Sequence, residues 1–301
     1  MRESNSSLVS VVVPCHQRFS YVKECLDSVA EQSHTNLQVI VVDDCSEPGK
    51  LEKVIQETKW KSSTKVEYLR SEERLGPGRA RELGRQWVQG DFVSYLDSDD
   101  IWHPDFISKH LANFEINSTA GMSYCISTVF AHLPLKGNEP VYRQSDEYFE
   151  TFFPEKKKRR PWATAGCLWT RKAVDLVGSW CESWIGEDFA YDFVARSYDI
   201  KVTHLPEVLS HVRRVEGAGH VTQIENREIW LQCSQSSDFM VGILREKKTG
   251  MNLDLIEWLV RKSYRESAVF LEMGLIEQAD LSFKRTIKVQ KMFGFSGTDK
   301  E

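Results

Sequence analysis

The chain has 301 residues, of which 41% are hydrophobic and 28% charged, and its formal net charge is −5. This composition is typical of a folded globular protein, and the negative charge excludes nucleic-acid binding driven by bulk electrostatics. No run reaches the roughly 18 consecutive apolar residues of a membrane-spanning helix, so we predict no transmembrane segment. The seven cysteines are scattered and never form Cys-x-x-Cys, which argues against zinc fingers and disulfides and predicts a cytoplasmic protein.

The first hundred residues alternate between short apolar runs and amphipathic segments. The pattern predicts strands at residues 8–13, 37–42, 66–69 and 92–96, with helices at residues 19–32, 50–60 and 78–89. These strands are continuously apolar, which is typical of a parallel sheet covered by helices on both faces. Ligands of such sheets bind beyond the carboxyl ends of the strands. We therefore expect the site in the loops after Val13, Val42 and Leu96.

The pattern of the remaining residues predicts a region of both helices and strands, followed by a region of helices alone. Helices are predicted at residues 105–116, 171–178 and 188–199, with a strand at 121–129 and an apolar stretch at 163–170. Residues 225–293 contain no proline and show helical spacing throughout, with Gly274 as a linker between two helices. The predicted fold class is α/β, a mostly parallel sheet flanked by helices, with a C-terminal all-helical appendage of two to four helices.

Two acidic motifs follow predicted strands. Asp97, Asp99 and Asp100 place three carboxylates within four positions, which suits a hard divalent cation, although a solvated acidic turn would look the same. Asp43 and Asp44 could accept a hydrogen bond from a base or a ribose, or one of them could cap the helix near residue 50.

Two further motifs carry candidate chemistry. Residues 76–84 combine glycines with arginines that suit phosphate oxygens, or that form salt bridges on an exposed helix. Glu187 and Asp188 follow Gly186 and open a helix, and Trp180 and Trp184 lie just before them. This acidic pair could supply a general base, or it could simply complement the helix dipole.

Taken together, these motifs resemble glycosyltransferase family 2, which has the GT-A fold. The resemblance covers residues 8 to about 220 and includes the run from Val11 to Arg18 and the Asp-x-Asp of Asp97-Ser98-Asp99. His16 and Gln17 stand where the family usually has Tyr-Asn. The chain also lacks the Gln-x-x-Arg-Trp run of processive synthases after Asp188, which favours transfer of a single sugar.

The resemblance implies roles for particular residues. Asp188 would be the catalytic base, supported by Glu187, while Arg213 and Arg214 would contact the departing diphosphate. Asp44 would line the base and ribose, with Asp43 as the less favoured neighbour. The nucleotide-sugar site would comprise Pro14, His16, Arg18, Asp43, Asp44, Gly76, Arg81, Asp97 and Ser98.

The resemblance also implies a divalent cation, Mn²⁺ or Mg²⁺, as cofactor. Asp99 would bind it, Asp97 and Asp100 are competing ligands, and His211 or His220 would complete the set. The implied activity is metal-dependent, inverting transfer of one sugar from a nucleotide-diphosphate sugar, preferably a UDP-sugar, to a hydroxyl acceptor in cell-surface glycan or polysaccharide biosynthesis.

The predicted domains are a GT-A domain at residues 1–222 and a helical region at residues 223–301. Within the first, about 1–104 would bind nucleotide and about 105–222 would bind a glycan or lipid-linked acceptor. The helical tail could mediate homodimerisation, partner docking or acceptor capping. A basic run could meet an anionic acceptor or the inner face of the membrane, or form a solvated loop; it consists of Lys156, Lys157, Lys158, Arg159 and Arg160.

Two alternatives stay open from the sequence. A catalytically inactive, nucleotide-sugar-binding scaffold would act through the tail, although it would have no need to hold Asp97, Asp99 and Asp188 together. A nucleotidyltransferase shares a similar sheet, but it would need a glycine- and lysine-bearing phosphate loop where residues 14–20 offer only Arg18.

Overall fold

A computed structural model describes residues 7–141, 152, 160–215, 226–247 and 253–293. The strands in these residues are β1 (Val9–Cys15), β2 (Leu37–Asp44), β3 (Lys65–Ser71), β4 (Phe92–Tyr95), β5 (Ile101–Trp102), β6 (Met122–Phe130), β7 (Cys167–Thr170) and β8 (Val202–Arg213). The α-helices in these residues are α1 (Phe19–Ala30), α2 (Lys50–Glu57), α3 (Gly76–Arg85), α4 (Phe106–Ile116), α5 (Arg171–Val177), α6 (Glu187–Ser197), α7 (Asn226–Glu246), α8 (Leu253–Glu272) and α9 (Ile276–Met292).

The strands form one mixed sheet in the order β3-β2-β1-β4-β7-β6-β8-β5. Its first half is parallel, because β1 pairs in parallel with both β2 and β4, and β2 with β3. Alternate side chains of β1 enter different hydrophobic clusters, Val11 and Val13 on one face and Val12 on the other. The continuous apolar strands of the sequence are therefore explained by burial on both faces, as predicted.

The second half of the sheet turns partly antiparallel. β7 runs antiparallel to β4 and β6, whereas β8 runs parallel to β6 and antiparallel to β5. The sequence analysis predicted neither β5 nor β8. β8 was not predicted because Pro206 interrupts its apolar pattern, and its register with β6 skips residues there.

The C-terminal helices pack on the sheet domain rather than standing apart from it. A hydrophobic cluster joins Phe193 of α6 to Met240 of α7 and Leu259 of α8. Gly274, in the left-handed conformation at φ +71°, links α8 to α9 as predicted. The predicted boundary between residues 222 and 223 lies outside the described residues. Among the described helices, none combines the length and apolarity needed to cross a membrane.

Candidate functional site

The predicted loops meet at the carboxyl edge of the parallel strands. The first of them, after β1, contains two consecutive non-glycine residues with positive φ, Gln17 at 53° and Arg18 at 51°. Such conformations are sparsely populated and are held by surrounding structure. The Nδ1 atom of His16 lies 2.7 Å from the backbone oxygen of Asp44. Burial lowers the pKa of His16, so this loop presents a neutral, half-buried imidazole beside the half-buried Pro14.

Asp43, at the end of β2, is fully buried and bound by the protein itself. Its carboxylate accepts hydrogen bonds from the Ser46 backbone N–H at 2.8 Å, the Tyr68 hydroxyl at 2.7 Å and Arg70 Nη1 at 2.5 Å. A buried carboxylate is stable when donors surround it in this way. Asp43 therefore holds the loop after β2 together through these contacts.

Asp44 anchors the beginning of α3. Its carboxylate accepts hydrogen bonds from the backbone N–H groups of Leu75 and Gly76, and Arg74 Nε lies 3.3 Å away. Gly76 has φ +77°, and a Cβ atom there would lie 2.7 Å from Trp184 Nε1. The sequence left open that one of these carboxylates caps the helix near residue 50. Asp44 instead binds the backbone of Leu75 and Gly76, at the start of α3.

The acidic run after β4 divides into two accessible carboxylates and one enclosed one. The side chains of Asp97 and Asp99 are 36% and 18% exposed, whereas Asp100 is buried. Arg18 Nη1 donates to Asp99 Oδ2 at 3.0 Å, and Ser98 lies half-buried between the two. Burial first, and then the charges of Asp99 and Asp97, raise the pKa of Asp100 well above its usual range. Negative charge is therefore concentrated at this loop.

Arg213, at the end of β8, fixes this loop. Its backbone N–H donates to Asp100 Oδ1 at 2.9 Å, and its Nε donates to the Asp99 backbone oxygen at 2.8 Å. Its Nη2 pairs with Glu24 of α1, and the side chain is 1% exposed. The expectation that Arg213 contacts a diphosphate is wrong for this geometry, because its guanidinium is enclosed and each of its three nitrogens donates to the protein. Arg214 is exposed.

Arg81 joins the acidic loop to the start of α6. Nη2 donates to Asp97 Oδ1 at 2.5 Å and Nη1 to Glu187 Oε1 at 2.7 Å. The guanidinium lies 4.9 Å from the Trp180 ring centroid and its side chain is 4% exposed. Burial alone would lower the pKa of Arg81, but the charges of Asp97 and Glu187 raise it. Arg81 is thus a buried ionic bridge between two regions that lie far apart in the sequence.

The predicted acidic pair opens α6, as expected, behind Gly186 at φ +81°. Burial, followed by the charge of Asp188, raises the pKa of Glu187 to about 7, against the opposing effect of Arg81. Asp188 is one-third exposed, and its Oδ2 accepts a hydrogen bond from Arg160 Nη1 at 2.8 Å. The more accessible carboxylate of the pair is therefore Asp188.

Sequence analysis missed the position of Arg160. We expected it in a basic run that would meet an anionic acceptor or a membrane, or form a solvated loop, but its side chain is 6% exposed and pairs with Asp188 and Asp192. Nothing in the run itself separates Arg160 from its neighbours, except that Pro161 and Trp162 follow it and bring the chain back to the core. The remaining members, residues 156–159, lie outside the described residues.

The structure does not bring His211 to the carboxylates. It is buried on β8, its Nδ1 lies 2.7 Å from the Thr128 hydroxyl, and burial lowers its pKa. The charges that act on it are those of Glu139 and His103. His220 lies outside the described residues. Within the part of the chain that is described, no three His, Cys, Asp or Glu side chains form a ready-made metal cluster.

The tryptophans around α6 are mostly core residues. Trp162, Trp169 and Trp180 are almost completely buried, whereas Trp184 is half-buried against Gly76 and Arg74. Trp184 is therefore the one of these four that reaches the edge of the site.

Comparison with known families agrees with this fold and these motifs. The family model described as glycosyl transferase family 2 matches residues 10–175, which is more than half of the chain. The chain belongs to glycosyl transferase family 2, and the resemblance identified from the sequence is confirmed. The match ends before Glu187 and Asp188, so it covers the acidic loop but not the start of α6.

Individual relatives cover shorter stretches. The putative teichuronic acid biosynthesis glycosyltransferase TuaG of Bacillus subtilis is 38% identical over 104 residues, 35% of this chain and 40% of that protein. The amylovoran biosynthesis glycosyltransferase AmsB of Erwinia amylovora is 36% identical over 107 residues, 35% of each chain. The chain thus spans less than half the length of these relatives.

Solved structures share the fold. The crystal structure of S. aureus TarS in complex with UDP-GlcNAc has a TM-score of 0.60 and 17% identity, covering 95% of this chain and 91% of that chain. A structure of TarS in complex with UDP has a TM-score of 0.59 and 16% identity, covering 95% and 91%. These matches extend over nearly the whole chain, the C-terminal helices included, and confirm the predicted GT-A fold.

Proposed function

We propose that this protein is a metal-dependent, inverting glycosyltransferase that moves one sugar from a UDP-sugar to a hydroxyl acceptor. One observation carries the proposal. Arg81 bridges Asp97 at 2.5 Å and Glu187 at 2.7 Å, and so draws the acidic loop after β4 and the acidic start of α6 into one site. A donor-binding loop and a base on opposite sides of a reacting carbon need this proximity.

The choice of donor is supported by family membership and by the solved neighbours. TarS, which shares the fold, was crystallised with UDP and with UDP-GlcNAc. His16, Arg18 and Asp97 lie half-buried at the carboxyl edge, where sheets of this type bind nucleotides. We assign the donor nucleotide to this edge, with UDP-GlcNAc as the first sugar nucleotide to try.

The residues at the acidic loop fit a divalent cation. Asp97 and Asp99 offer accessible carboxylate oxygens, the ligand type that Mg²⁺ prefers, and Mg²⁺ binds through one or two carboxylates together with substrate phosphates. Asp99, with Asp97, would hold the cation, and His211 is not among its ligands. When bound, such a cation neutralises charge on a leaving diphosphate.

The proposed reaction is a single displacement. Asp188 accepts the proton of the acceptor hydroxyl as the hydroxyl oxygen bonds to the anomeric carbon. The bond from that carbon to the diphosphate oxygen breaks, and its electron pair leaves with the nucleoside diphosphate. Attack opposite the leaving group inverts the anomeric configuration.

The acceptor belongs to a glycan or polysaccharide in this proposal, since TuaG and AmsB are named for teichuronic acid and amylovoran biosynthesis. A cytoplasmic location and contact with a lipid-linked acceptor through residues 156–159 stay predictions. The alternative, an inactive scaffold, would bind nucleotide without turnover.

The test begins with thermal stabilisation by UDP, GDP, dTDP and CDP, each with Mn²⁺ and with EDTA. We expect UDP with Mn²⁺ to raise Tm by several degrees at concentrations well above Kd. Asp99→Asn should weaken this shift, whereas the control Asp27→Asn, which alters an exposed ion pair with Lys23, should not. No shift with any nucleotide would count against the donor assignment.

Turnover separates the enzyme from the scaffold. Asp188→Asn should bind UDP as the wild type does and lose UDP release from UDP-GlcNAc by at least about 100-fold, the usual contribution of a general base. Full activity in Asp188→Asn would contradict the assignment of the base. Nucleotide binding by a wild-type protein that turns over no UDP-sugar would favour the scaffold.

A further inference from the structure

Arg160 makes several polar contacts around the start of α6. Its Nη1 donates to Asp188 Oδ2 at 2.8 Å, its Nη2 to Thr164 Oγ1 at 3.0 Å and its Nε to the Trp162 backbone oxygen at 3.1 Å. Nε also lies 3.4 Å from Asp192 Oδ2. With a side chain only 6% exposed, Arg160 is a fixed part of the site.

Arg160 pairs with two carboxylates of α6, Asp188 and Asp192. Asp188 and Asp192 are one turn apart on α6, so they lie on the same face of the helix and repel each other. Asp192 is buried and also accepts a hydrogen bond from Trp162 Nε1 at 3.2 Å. Asp192 therefore anchors the inner side of Arg160, while Asp188 remains one-third exposed at the outer side.

Other ionisable groups face Asp188 from neighbouring elements. Glu187 precedes it on α6, and Arg81 of α3 pairs with Glu187. Cys233 of α7 is half-buried; this burial raises the pKa of its thiol, and the charges of Glu187 and Asp188 raise it further. Glu187 is acidic and Arg81 pairs with it, so the positive charge of Arg160 lies at a place where negative charge accumulates.

We propose that Arg160 is a positioning residue for the catalytic base. By binding Oδ2 it fixes the plane of the Asp188 carboxylate and keeps that group ionised. Oδ1 accepts the Phe189 backbone N–H at 2.7 Å, and in this proposal it also receives the proton of the acceptor hydroxyl. The inference rests on the proposed function, because it requires Asp188 to be the base.

The expected consequence is a pH effect. An opposite charge at this distance lowers the pKa of a carboxyl group by about 1–3 units. Removing Arg160 should therefore leave Asp188 protonated, and unable to act as a base, up to a higher pH. A residue that merely supported the fold would lower activity equally at every pH.

The experiment compares Arg160→Gln and Arg160→Lys with wild type. The matched control is Arg171→Gln, which breaks another Arg–Asp pair of 2.8 Å, with Asp175 on α5. The probe is UDP release from UDP-GlcNAc with water as acceptor, followed as kcat/KM against pH. A second readout, independent of turnover, is the carboxyl ¹³C titration of Asp188, assigned by the signal that Asp188→Asn lacks.

We expect the acidic limb of the profile and the Asp188 titration to move up by about one unit or more in Arg160→Gln. Arg160→Lys should restore part of the shift because it keeps the charge, and Arg171→Gln should leave both readouts unchanged. UDP affinity should stay the same in all variants. Melting curves show whether each variant folds. If Arg160→Gln does not fold, Arg160→Lys is compared with the wild type instead.

Two results would overturn the inference. One is a titration of Asp188 at the same pH in wild type and in a folded Arg160 variant. The other is a kcat/KM profile that falls uniformly without moving along the pH axis. Failure of the proposed function looks different, because Asp188→Asn would then retain wild-type UDP release whatever Arg160 does.

Discussion

Asp43 and Asp44 are adjacent in the sequence, yet their carboxylates serve different parts of the molecule. Asp43 binds Ser46, Tyr68 and Arg70 near its own strand, whereas Asp44 reaches the backbone at the start of α3. Adjacent residues of a strand point to opposite faces of the sheet. Each carboxylate therefore meets its own donors.

At this scale Gly78 gives a direct test of how closely the two halves of the site approach. A Cβ atom on Gly78 would lie 1.9 Å from the backbone oxygen of Cys181 and 3.3 Å from the Cβ of Glu187. We predict that Gly78→Ala lowers the free energy of unfolding by about 1–3 kcal/mol through overpacking. Urea denaturation of Gly78→Ala and the wild type measures this difference in the free energy of unfolding.

The control is Gly242→Ala in α7, where an added Cβ meets nothing within 4 Å. Alanine favours a helix over glycine by about 1 kcal/mol, so this variant should be as stable as the wild type or more so. Equal stability of Gly78→Ala and wild type would mean that residues 181–187 move aside at little cost.

The sequence predicted which residues gather at the site better than it predicted what they touch. Asp97, Asp99, Glu187 and Asp188 could be placed from strand ends and a helix start, because those positions follow from local pattern. Their ion-pair partners could not be predicted, because these partners are distant in the sequence. Arg160 is 28 positions from Asp188, and Arg81 is 106 positions from Glu187.

At the scale of elements, α4 is held to the sheet by a buried histidine. His110 packs against Phe106, and its Nδ1 lies 2.7 Å from the Ser123 hydroxyl on β6. Burial lowers the pKa of His110 to about 3. The neutral ring is thus built into the interface between α4 and β6.

This histidine predicts an acid sensitivity of the fold. Below the unfolded-state pKa of about 6.5 the unfolded chain binds a proton that the folded protein cannot, so stability falls as pH drops. Between pH 8 and pH 5 the loss attributable to His110 should be about 2 kcal/mol. Denaturation of wild type and His110→Asn at both pH values measures it.

The variant should be less stable at pH 8, because the ring contact with Phe106 is lost, and its deficit should shrink at pH 5. A deficit that stayed constant with pH would contradict a buried neutral imidazole.

Elements were predicted unevenly for a physical reason. Strands buried on both faces, such as β1 and β2, have a continuous apolar pattern, and helices such as α1 have a clear apolar stripe. β8 has neither, because Pro206 and the skipped register positions break its alternation. β5 is only two residues long and exists through its pairing with β8.

At the scale of the whole molecule, the C-terminal helices form the back wall of α6. Cys181, Ala190 and Phe193 share a hydrophobic cluster with residues of α7 and α8. Since α6 begins at Glu187 and carries Asp188, the tail supports the helix that holds the proposed base. The amphipathic spacing of residues 225–293 predicted helices there, but not which surface they would cover.

This packing predicts that the tail and the sheet domain unfold together. Leu259→Ala, at a fully buried position of α8, should cost about 2–5 kcal/mol and lower Tm in a single calorimetric transition. Leu253→Ala, on the same helix but 63% exposed, should change stability by less than about 0.5 kcal/mol. Two separate transitions, with only one shifted by Leu259→Ala, would show instead that the tail is independent.

The contact between Arg213 and Glu24 has a consequence for the order in which the molecule is made. The two residues are 189 positions apart, and ribosomes add about 5–20 residues per second. Helix α1 therefore waits on the order of ten seconds or more for its partner. Once residues 97–100 have been made, the nascent chain carries its acidic loop without the strand that ties the loop to α1 until Arg213 is added. This edge of the sheet is completed only when β8 has been made, although most of its residues are synthesised earlier.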